Sequence, residues 1–127
     1  MDAQSVGEHK EQLALEHLLQ AGLTLVTRNF RCRVGEVDLV MLDEAVLVFV
    51  EVRSRSTGGR PYTRFPSAIQ SVGPQKQRKL AKAALFFLAK HKNFRNHVVR
   101  FDVVAYDGPT PDRYGLQWIT DAFRPGS

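Results

Sequence analysis

The chain has 127 residues, a length that fits one domain of ordinary size. Hydrophobic residues make up 43% and charged residues 24%, which excludes a disordered chain and predicts a buried core. No apolar run approaches the roughly 18 residues that a membrane-spanning helix needs. The single cysteine, Cys32, excludes an internal disulfide and a cysteine-rich zinc site. We therefore expect one domain over residues 1–127, without a membrane partner, in the reducing cytoplasm.

The charges are unevenly distributed along the chain. The net charge is +5, and twelve of the 18 lysines and arginines lie between Glu51 and Asp102, an interval without any aspartate or glutamate. The acidic residues gather before this interval and again after residue 100. Carboxylates beside a cationic stretch suit metal-dependent phosphodiester chemistry. From the charge alone, however, a solvated basic helix and loop is the simpler interpretation.

The first half of the chain predicts one helix and three strands. The helix runs from about Gln4 to Gly22, because apolar residues recur at helical spacing and the glycine can end it. A β-branched run over residues 23–28 predicts a first strand that ends near Asn29. The runs 37–42 and 46–52 flank the polar pair Asp43-Glu44. They predict a hairpin whose second strand is buried on both faces.

The second half predicts a loop, a helix and two strands. Residues 54–73 contain Ser, Thr, Gly and Pro without periodicity, which predicts a long loop. Pro74 suits the first turn of an amphipathic helix that runs to about His91. Strands are predicted over residues 98–106 and 116–119. The element order αβββαββ indicates an α/β protein.

Carboxylates meet on the predicted hairpin. Alternation places Glu36 and Asp38 on one face of the first strand, and Glu51 and Arg53 on one face of the second. A two-residue turn at Glu44-Ala45 would put Asp38 opposite Glu51, whereas a turn one residue earlier would put Glu36 there. Both registers bring like charges together in an apolar run, which costs stability. A divalent cation is the simplest compensation.

Each predicted helix adds one polar residue to its core-facing stripe. Glu11 lies four residues before Leu15 and therefore points toward the core. Lys76 lies four residues before Leu80 and points toward the sheet, where it could meet a phosphate. The four histidines share no metal-ligand spacing, so they receive no role. For Asp102, beside Arg100, we expect a supporting ion pair.

The segments GEVDLV at 35–40 and LVFVEVRSR at 47–55 closely resemble the YraN family of predicted bacterial endonucleases. The likeness extends to Glu11 in the first helix, Lys76 in the second and the segment RFDVV at 100–104. That family is similar to the PD-(D/E)XK nuclease superfamily, especially its Holliday-junction-resolvase-like branch. The resemblance implies a restriction-endonuclease-like mixed β-sheet flanked by helices.

The resemblance also implies a set of site residues. Asp38 would be the first motif aspartate, Glu51 the second acid, Arg53 the residue at the usual lysine position and Glu11 the helix glutamate, together the catalytic set. Asp38, Glu51 and the backbone carbonyl of Val52 would bind Mg²⁺ or Mn²⁺. Arg53 departs from the pattern: a guanidinium stays protonated, so it cannot be the general base and would stabilise charge on the phosphate. Lys10 departs where relatives commonly have glycine, on what we expect to be an exposed helix turn.

Each assignment has a structural alternative. Asp38 and Glu51 could form an ion-pair network with Arg53 and Arg28, Glu11 could be a solvated or capping glutamate, and Glu36 could simply pair with an arginine. For DNA binding we expect four residues, with solvated side chains as the alternative: Arg55, Arg60, Arg64 and Lys76.

Two functions from different classes remain open at this point. The first is a Mg²⁺- or Mn²⁺-dependent endonuclease that hydrolyses DNA, with branched DNA as one substrate. The second is a nucleic-acid-binding module that kept the fold but lost efficient chemistry, which Arg53 in place of lysine would explain. A third and weaker option is a protein-interaction domain. Junction-cleaving relatives are often homodimers, and the apolar segment 86–88 could supply such a contact.

Overall fold

The computed structural model describes residues 3–55, 72–107 and 115–124. These residues form two long helices, a short 3₁₀ helix and five strands in the predicted order. The bounds are α1 Ala3–Gln20, β1 Thr24–Cys32, β2 Gly35–Asp43, β3 Val46–Arg55, α2 Pro74–Lys90, the 3₁₀ helix Lys92–Phe94, β4 Val98–Asp107 and β5 Leu116–Ile119. None of the helices in these ranges is long and apolar enough to cross a bilayer.

The strands form one mixed sheet in the order β1-β2-β3-β4-β5. Strands β3 and β4 pair in parallel, and every other neighbouring pair is antiparallel. A parallel pair needs a crossover, and the segment between β3 and β4 contains α2. The expected mixed sheet flanked by helices is confirmed.

The two helices cover the sheet through two hydrophobic clusters. The α2 cluster joins Leu80, Ala83, Ala84 and Phe87 to alternate residues of β3 and β4, including Leu47 and Val103. The α1 cluster joins Ala14, Leu15 and Leu18 to the intervening residues, including Val48 and Val104. Strand β3 is therefore buried on both faces, as its continuous apolar run predicts.

The end of α1 shows why a glycine follows it. Gly22 has φ 103°, a backbone conformation that residues other than glycine rarely adopt. This turn lets the Leu23 N–H donate to the Leu18 carbonyl at 3.1 Å and the Gly22 N–H donate to the Leu19 carbonyl at 3.0 Å. Both bonds define a Schellman motif, which directs the chain from the helix into β1.

The β2–β3 hairpin selects one of the two predicted registers. Asp43 pairs with Val46 across a turn at Glu44-Ala45, and Glu44 has φ 54°. The ladder continues through the pair Leu39 and Val50, so the next positions in register are Asp38 and Glu51. The alternative that places Glu36 opposite Glu51 is wrong.

Strand β1 is longer than predicted. It continues past Asn29 to Cys32, and Phe30 still pairs with Val37. Asn29 has φ 52°, which asparagine tolerates better than most residues, so the strand deforms there without ending. The extension carries the Phe30 ring against Phe87, with 5.2 Å between ring centroids.

The apolar segment 86–88 does not form one free surface. Phe87 is fully buried and belongs to the α2 cluster, and Leu88 packs against that cluster. Only Phe86 is exposed, at 37%. The expected dimer contact through this segment is therefore wrong for Phe87, because its ring fills the core.

A buried ion pair braces β4 and β5. Asp102 is fully buried and accepts hydrogen bonds from Arg100 Nε at 2.9 Å and Nη2 at 3.0 Å. It also accepts from Trp118 Nε1 at 3.0 Å and from the Asp121 N–H at 2.9 Å. Four donors satisfy the buried carboxylate, which confirms its supporting role.

Candidate functional site

The site begins where β2 separates from β3. The β2–β3 ladder ends at Leu39 and Val50, whereas β3 stays paired with β4 through Arg55. Val37 lies in the α2 cluster and Leu39 in the α1 cluster, so β2 turns about its axis at Asp38 instead of alternating regularly. We call this open end of the hairpin the site end.

Asp38 closes the gap that the separation leaves. Its Oδ2 accepts a hydrogen bond from the Val52 N–H at 2.8 Å, replacing a strand-to-strand bond. The Asp38 residue is only 9% exposed. Because the N–H and C=O of one strand residue point to the same side, the Val52 carbonyl also faces this gap.

Glu51 lies beside Asp38 on the side of the sheet that α2 covers. The residue is 6% exposed and follows Leu47 and Phe49, whose side chains belong to the α2 cluster. Two cations approach the same carboxylate oxygen: Lys76 Nζ and Arg53 Nε each lie 3.7 Å from Oε1. The first turn of α2 thus brings Lys76 into the carboxylate cluster, where its place on the apolar stripe directs it.

Both buried carboxylates resist ionisation. Burial, and after it the nearby Asp38 charge, raise the pKa of Glu51 to about 7, although Lys76 and Arg53 offset part of the rise. Burial also raises the pKa of Asp38, against the lowering effect of the Val52 N–H. Two carboxylates that are costly to charge together attract a cation, and such shifts cluster at functional sites.

Helix α1 brings Glu11 and Lys10 to the same end. Burial and the Asp38 charge raise the pKa of Glu11. The positive charge of Lys10 lowers the pKa of both Asp38 and Glu51, and Lys10 is half-buried. The expectation that Lys10 lies on an exposed turn is therefore wrong. The Tyr106 hydroxyl donates to the Lys10 carbonyl at 3.0 Å and ties α1 to the sheet.

Of the remaining candidates, Glu36 and Arg28 lie within the described residues and contact other partners. Glu36 is half-exposed and pairs with Arg31 at 3.2 Å, although its charge still raises the pKa of Asp38. Arg28 donates to the Gln12 side chain at 3.0 Å, a hydrogen bond that joins it to α1 and not to Asp38 or Glu51. Arg60 and Arg64, and the side chain of Arg55, lie outside the described residues.

The site end offers a cation a small set of hard oxygen ligands. Within residues 3–55, 72–107 and 115–124, no three acidic, histidine or cysteine side chains converge as a ready-made metal group. Two carboxylates, Asp38 and Glu51, and the Val52 carbonyl are what the site can present. This set fits Mg²⁺ or Mn²⁺, because Mg²⁺ characteristically uses one or two carboxylates and takes its other ligands from water and substrate phosphate.

Sequence reasoning missed the contribution of Lys10 and the direct contact of Lys76 with Glu51. For Lys76 the signal was present, since its helical position aligns it with Leu80. For Lys10, adjacency to Glu11 was the one available signal, and it did not reveal how deeply α1 sits against the sheet.

The fold and the site define a mixed α/β protein with an acidic and cationic cluster at the open end of a β-hairpin. Residues 10–106 match the model of the uncharacterised protein family UPF0102. The chain is 48% identical to a UPF0102 protein of Stutzerimonas stutzeri over 96% of its own length and 97% of the relative's. It is 47% identical to one of Alkalilimnicola ehrlichii, over 92% and 85%, and 47% identical to one of Ralstonia nicotianae, over 95% and 88%.

The chain therefore belongs to the UPF0102 family, which is the YraN family that its hairpin motif resembles.

Proposed function

We propose that this protein is a divalent-cation-dependent endonuclease that hydrolyses DNA phosphodiester bonds, with branched DNA among its substrates. One observation carries the proposal. Asp38 and Glu51 are buried side by side at the site end, with Lys76 and Arg53 each 3.7 Å from the same Glu51 oxygen. A purely structural core gains nothing from two adjacent carboxylates that are costly to ionise.

The oxygen ligands define where a cation would act. Asp38, Glu51 and the Val52 carbonyl would bind Mg²⁺ or Mn²⁺, which supplies polarisation of the phosphate and activation of the attacking water. The protein's part is to fix these oxygens in place. The Val52 N–H does so for Asp38 by its 2.8 Å hydrogen bond, which leaves the other Asp38 oxygen for a ligand.

The two cations beside Glu51 have different capacities. A guanidinium does not serve as a general base, so the role of Arg53 is to stabilise negative charge on the phosphate. Lys76 carries a compact ammonium, the group that the superfamily lysine would otherwise provide. Both groups approach Glu51 Oε1. Lys76 of α2 therefore brings an ammonium to the place where the superfamily has a strand lysine and this chain has Arg53.

The cationic charge of the chain supports a polyanionic substrate. The net charge is +5, and α2 contains four lysines and one arginine without any acidic residue. A phosphodiester chain gains affinity from each lysine or arginine that it contacts. DNA is therefore the substrate class that the charge favours.

The test is cleavage of end-labelled DNA with Mg²⁺ or Mn²⁺ present. The substrates are linear duplex, single strand, flap and four-way junction. We expect the wild type to cut at least one of them and Asp38→Asn/Glu51→Gln to cut none. The matched control, Glu16→Gln/Glu44→Gln, removes two carboxylates from exposed positions and should cut as the wild type does. No cleavage by the wild type, or equal cleavage by the site variant, contradicts the proposal.

Arg53 favours a second candidate, a DNA-binding module with weak or absent chemistry. With arginine at the usual lysine position, the chain has no group there that can exchange a proton. DNA binding without cleavage, unaffected by Asp38→Asn/Glu51→Gln, supports this candidate. The variants Arg53→Lys and Lys76→Met separate the two: an active nuclease loses activity in Lys76→Met, whereas a binding module shows no cleavage in either variant.

A further inference from the structure

The tip of the β1–β2 hairpin folds onto the outer side of α2. A Cβ placed on Gly35 would lie 4.0 Å from the Cβ of Lys79. The Arg33 guanidinium lies over the Phe86 ring, 5.4 Å from its centroid. These contacts join two elements whose basic residues are far apart in the sequence.

The joined elements form a cationic surface, which we call the hairpin–α2 surface. It consists of Arg31, Arg33, Lys79 and Lys82, all of them exposed. Lys79 and Lys82 are three residues apart and so lie next to each other on α2. Glu36, which follows Gly35 at the hairpin tip, pairs with Arg31 at 3.2 Å and offsets one of these charges. The surface therefore keeps a positive balance.

This surface leads away from the site end. Lys79 lies one helical turn after Lys76, whose Nζ is 3.7 Å from Glu51. Phe86, beneath Arg33, lies ten residues after Lys76, which is about 15 Å along the helix axis. A DNA strand advances about 3.4 Å per nucleotide along the duplex axis, so the distance from Lys76 to Phe86 corresponds to about four nucleotide steps.

Arg33 is suited to hold a phosphate. Its guanidinium makes a cation–π contact with Phe86, which favours one position of the planar donor fork. A pre-oriented fork loses less side-chain entropy when it binds a phosphate than a freely moving one.

We propose that the hairpin–α2 surface binds the phosphate backbone of the DNA duplex next to the scissile bond, with Arg33, Lys79 and Lys82 making the contacts. The inference rests on the proposed function for the identity of the ligand. It adds the path that the duplex follows, from Lys76 along α2 toward the hairpin tip.

The test is the salt dependence of DNA binding, measured by fluorescence anisotropy in EDTA with a labelled duplex of about 20 base pairs. The test variant is Arg33→Ala/Lys79→Ala/Lys82→Ala. The control variant, Lys90→Ala/Lys92→Ala/Arg95→Ala, removes the same charge from the last residue of α2 and from the segment after it, where these side chains are also exposed. A third variant, Arg33→Lys/Lys79→Arg/Lys82→Arg, keeps the charge. Circular dichroism checks that each variant is folded.

The expected result is a local loss of phosphate contacts. In the test variant the slope of log K for DNA binding against log salt should become less negative by about 3, since each lost phosphate contact removes about 0.9 from its size. The control variant should keep the wild-type slope to within about 1, and the charge-keeping variant should restore most of the affinity. Equal losses in the test and control variants, or no DNA binding by the wild type, would overturn the inference.

The binding test and the cleavage test fail separately. A localised loss of binding without any cleavage by the wild type supports the surface and refutes the nuclease. Cleavage by the wild type with unchanged binding in the test variant supports the nuclease and refutes the surface.

Discussion

Replacing Glu51 by glutamine should make the protein more stable at alkaline pH. The carboxylate lies 6% exposed beside Asp38, and burial together with the Asp38 charge raises its pKa to about 7 from an ordinary 4.5. Glutamine keeps the shape and removes the charge that is costly to bury. In the absence of a divalent cation, the variant should therefore unfold at a higher denaturant concentration than the wild type.

The pKa shift gives both the sign and the size of the effect. Between pH 4.5 and about 7 the folded wild type binds more protons at Glu51 than the unfolded chain, so its free energy of unfolding falls as the pH rises. Below pH 4.5 the group is protonated in both states, and the effect vanishes. A shift from 4.5 to about 7 corresponds to about 3 kcal/mol at pH 8, since one pKa unit is about 1.4 kcal/mol.

The assay is urea unfolding in EDTA at pH 4, pH 6 and pH 8 for the wild type, Glu51→Gln and the exposed control Glu44→Gln. The gain of Glu51→Gln over the wild type should grow from near zero at the lowest pH to about 3 kcal/mol at the highest. Glu44→Gln should follow the wild type throughout. A gain independent of pH, or a loss at pH 8, would refute the reasoning about a buried charge.

Three further substitutions, with Phe86→Ala as the control for Phe87→Ala, test the packing that positions the site, each measured by urea unfolding with an unchanged m-value. Asp102→Ala should lower the free energy of unfolding by about 3–5 kcal/mol, because it leaves Arg100 half-buried without its main partner. Phe87→Ala should cost about 3–5 kcal/mol by opening a core cavity, whereas Phe86→Ala, on the exposed side of α2, should cost far less. Tyr106→Phe should cost about 1 kcal/mol by removing the hydrogen bond to α1. Equal costs for Phe86→Ala and Phe87→Ala, or no cost for Asp102→Ala or Tyr106→Phe, would contradict the described packing.

The hairpin could be predicted from the sequence because two local rules determine it. The side-chain period of a strand is two, and a two-residue turn sets the register, so only two arrangements of the carboxylates were open. Asp43 and Glu44 are both polar, and the sequence alone left the turn position undecided between them. The structure places it at Glu44-Ala45, so Asp38 and Glu51 are the next positions in register after the last pair, Leu39 and Val50.

The long-range geometry of β1 and β2 could not be predicted in the same way. Strand alternation places Glu36 and Asp38 on one face, but β2 turns at Asp38, and Glu36 pairs with Arg31 outside the cluster. The end of β1 was predicted too early because asparagine is depleted in strands, whereas the structure accommodates Asn29 inside β1 in a left-handed conformation. Such deviations depend on tertiary packing, which overrides local propensity.

The cationic surface was missed for a related reason. Arg33 and Lys79 are separated in the sequence by β2, β3 and residues 56–73. Their proximity follows from the fold of the hairpin tip onto α2, which no local pattern specifies.

The most direct test of the site is isothermal titration of Mn²⁺ and of Mg²⁺ into the wild type and Asp38→Asn/Glu51→Gln, at matched pH and salt, with and without DNA. If the two buried carboxylates are cation ligands, the wild type binds the ion and the variant loses that binding. Equal binding by both proteins, or no binding by either under any of these conditions, would contradict the assignment and leave Asp38 and Glu51 as structural charges.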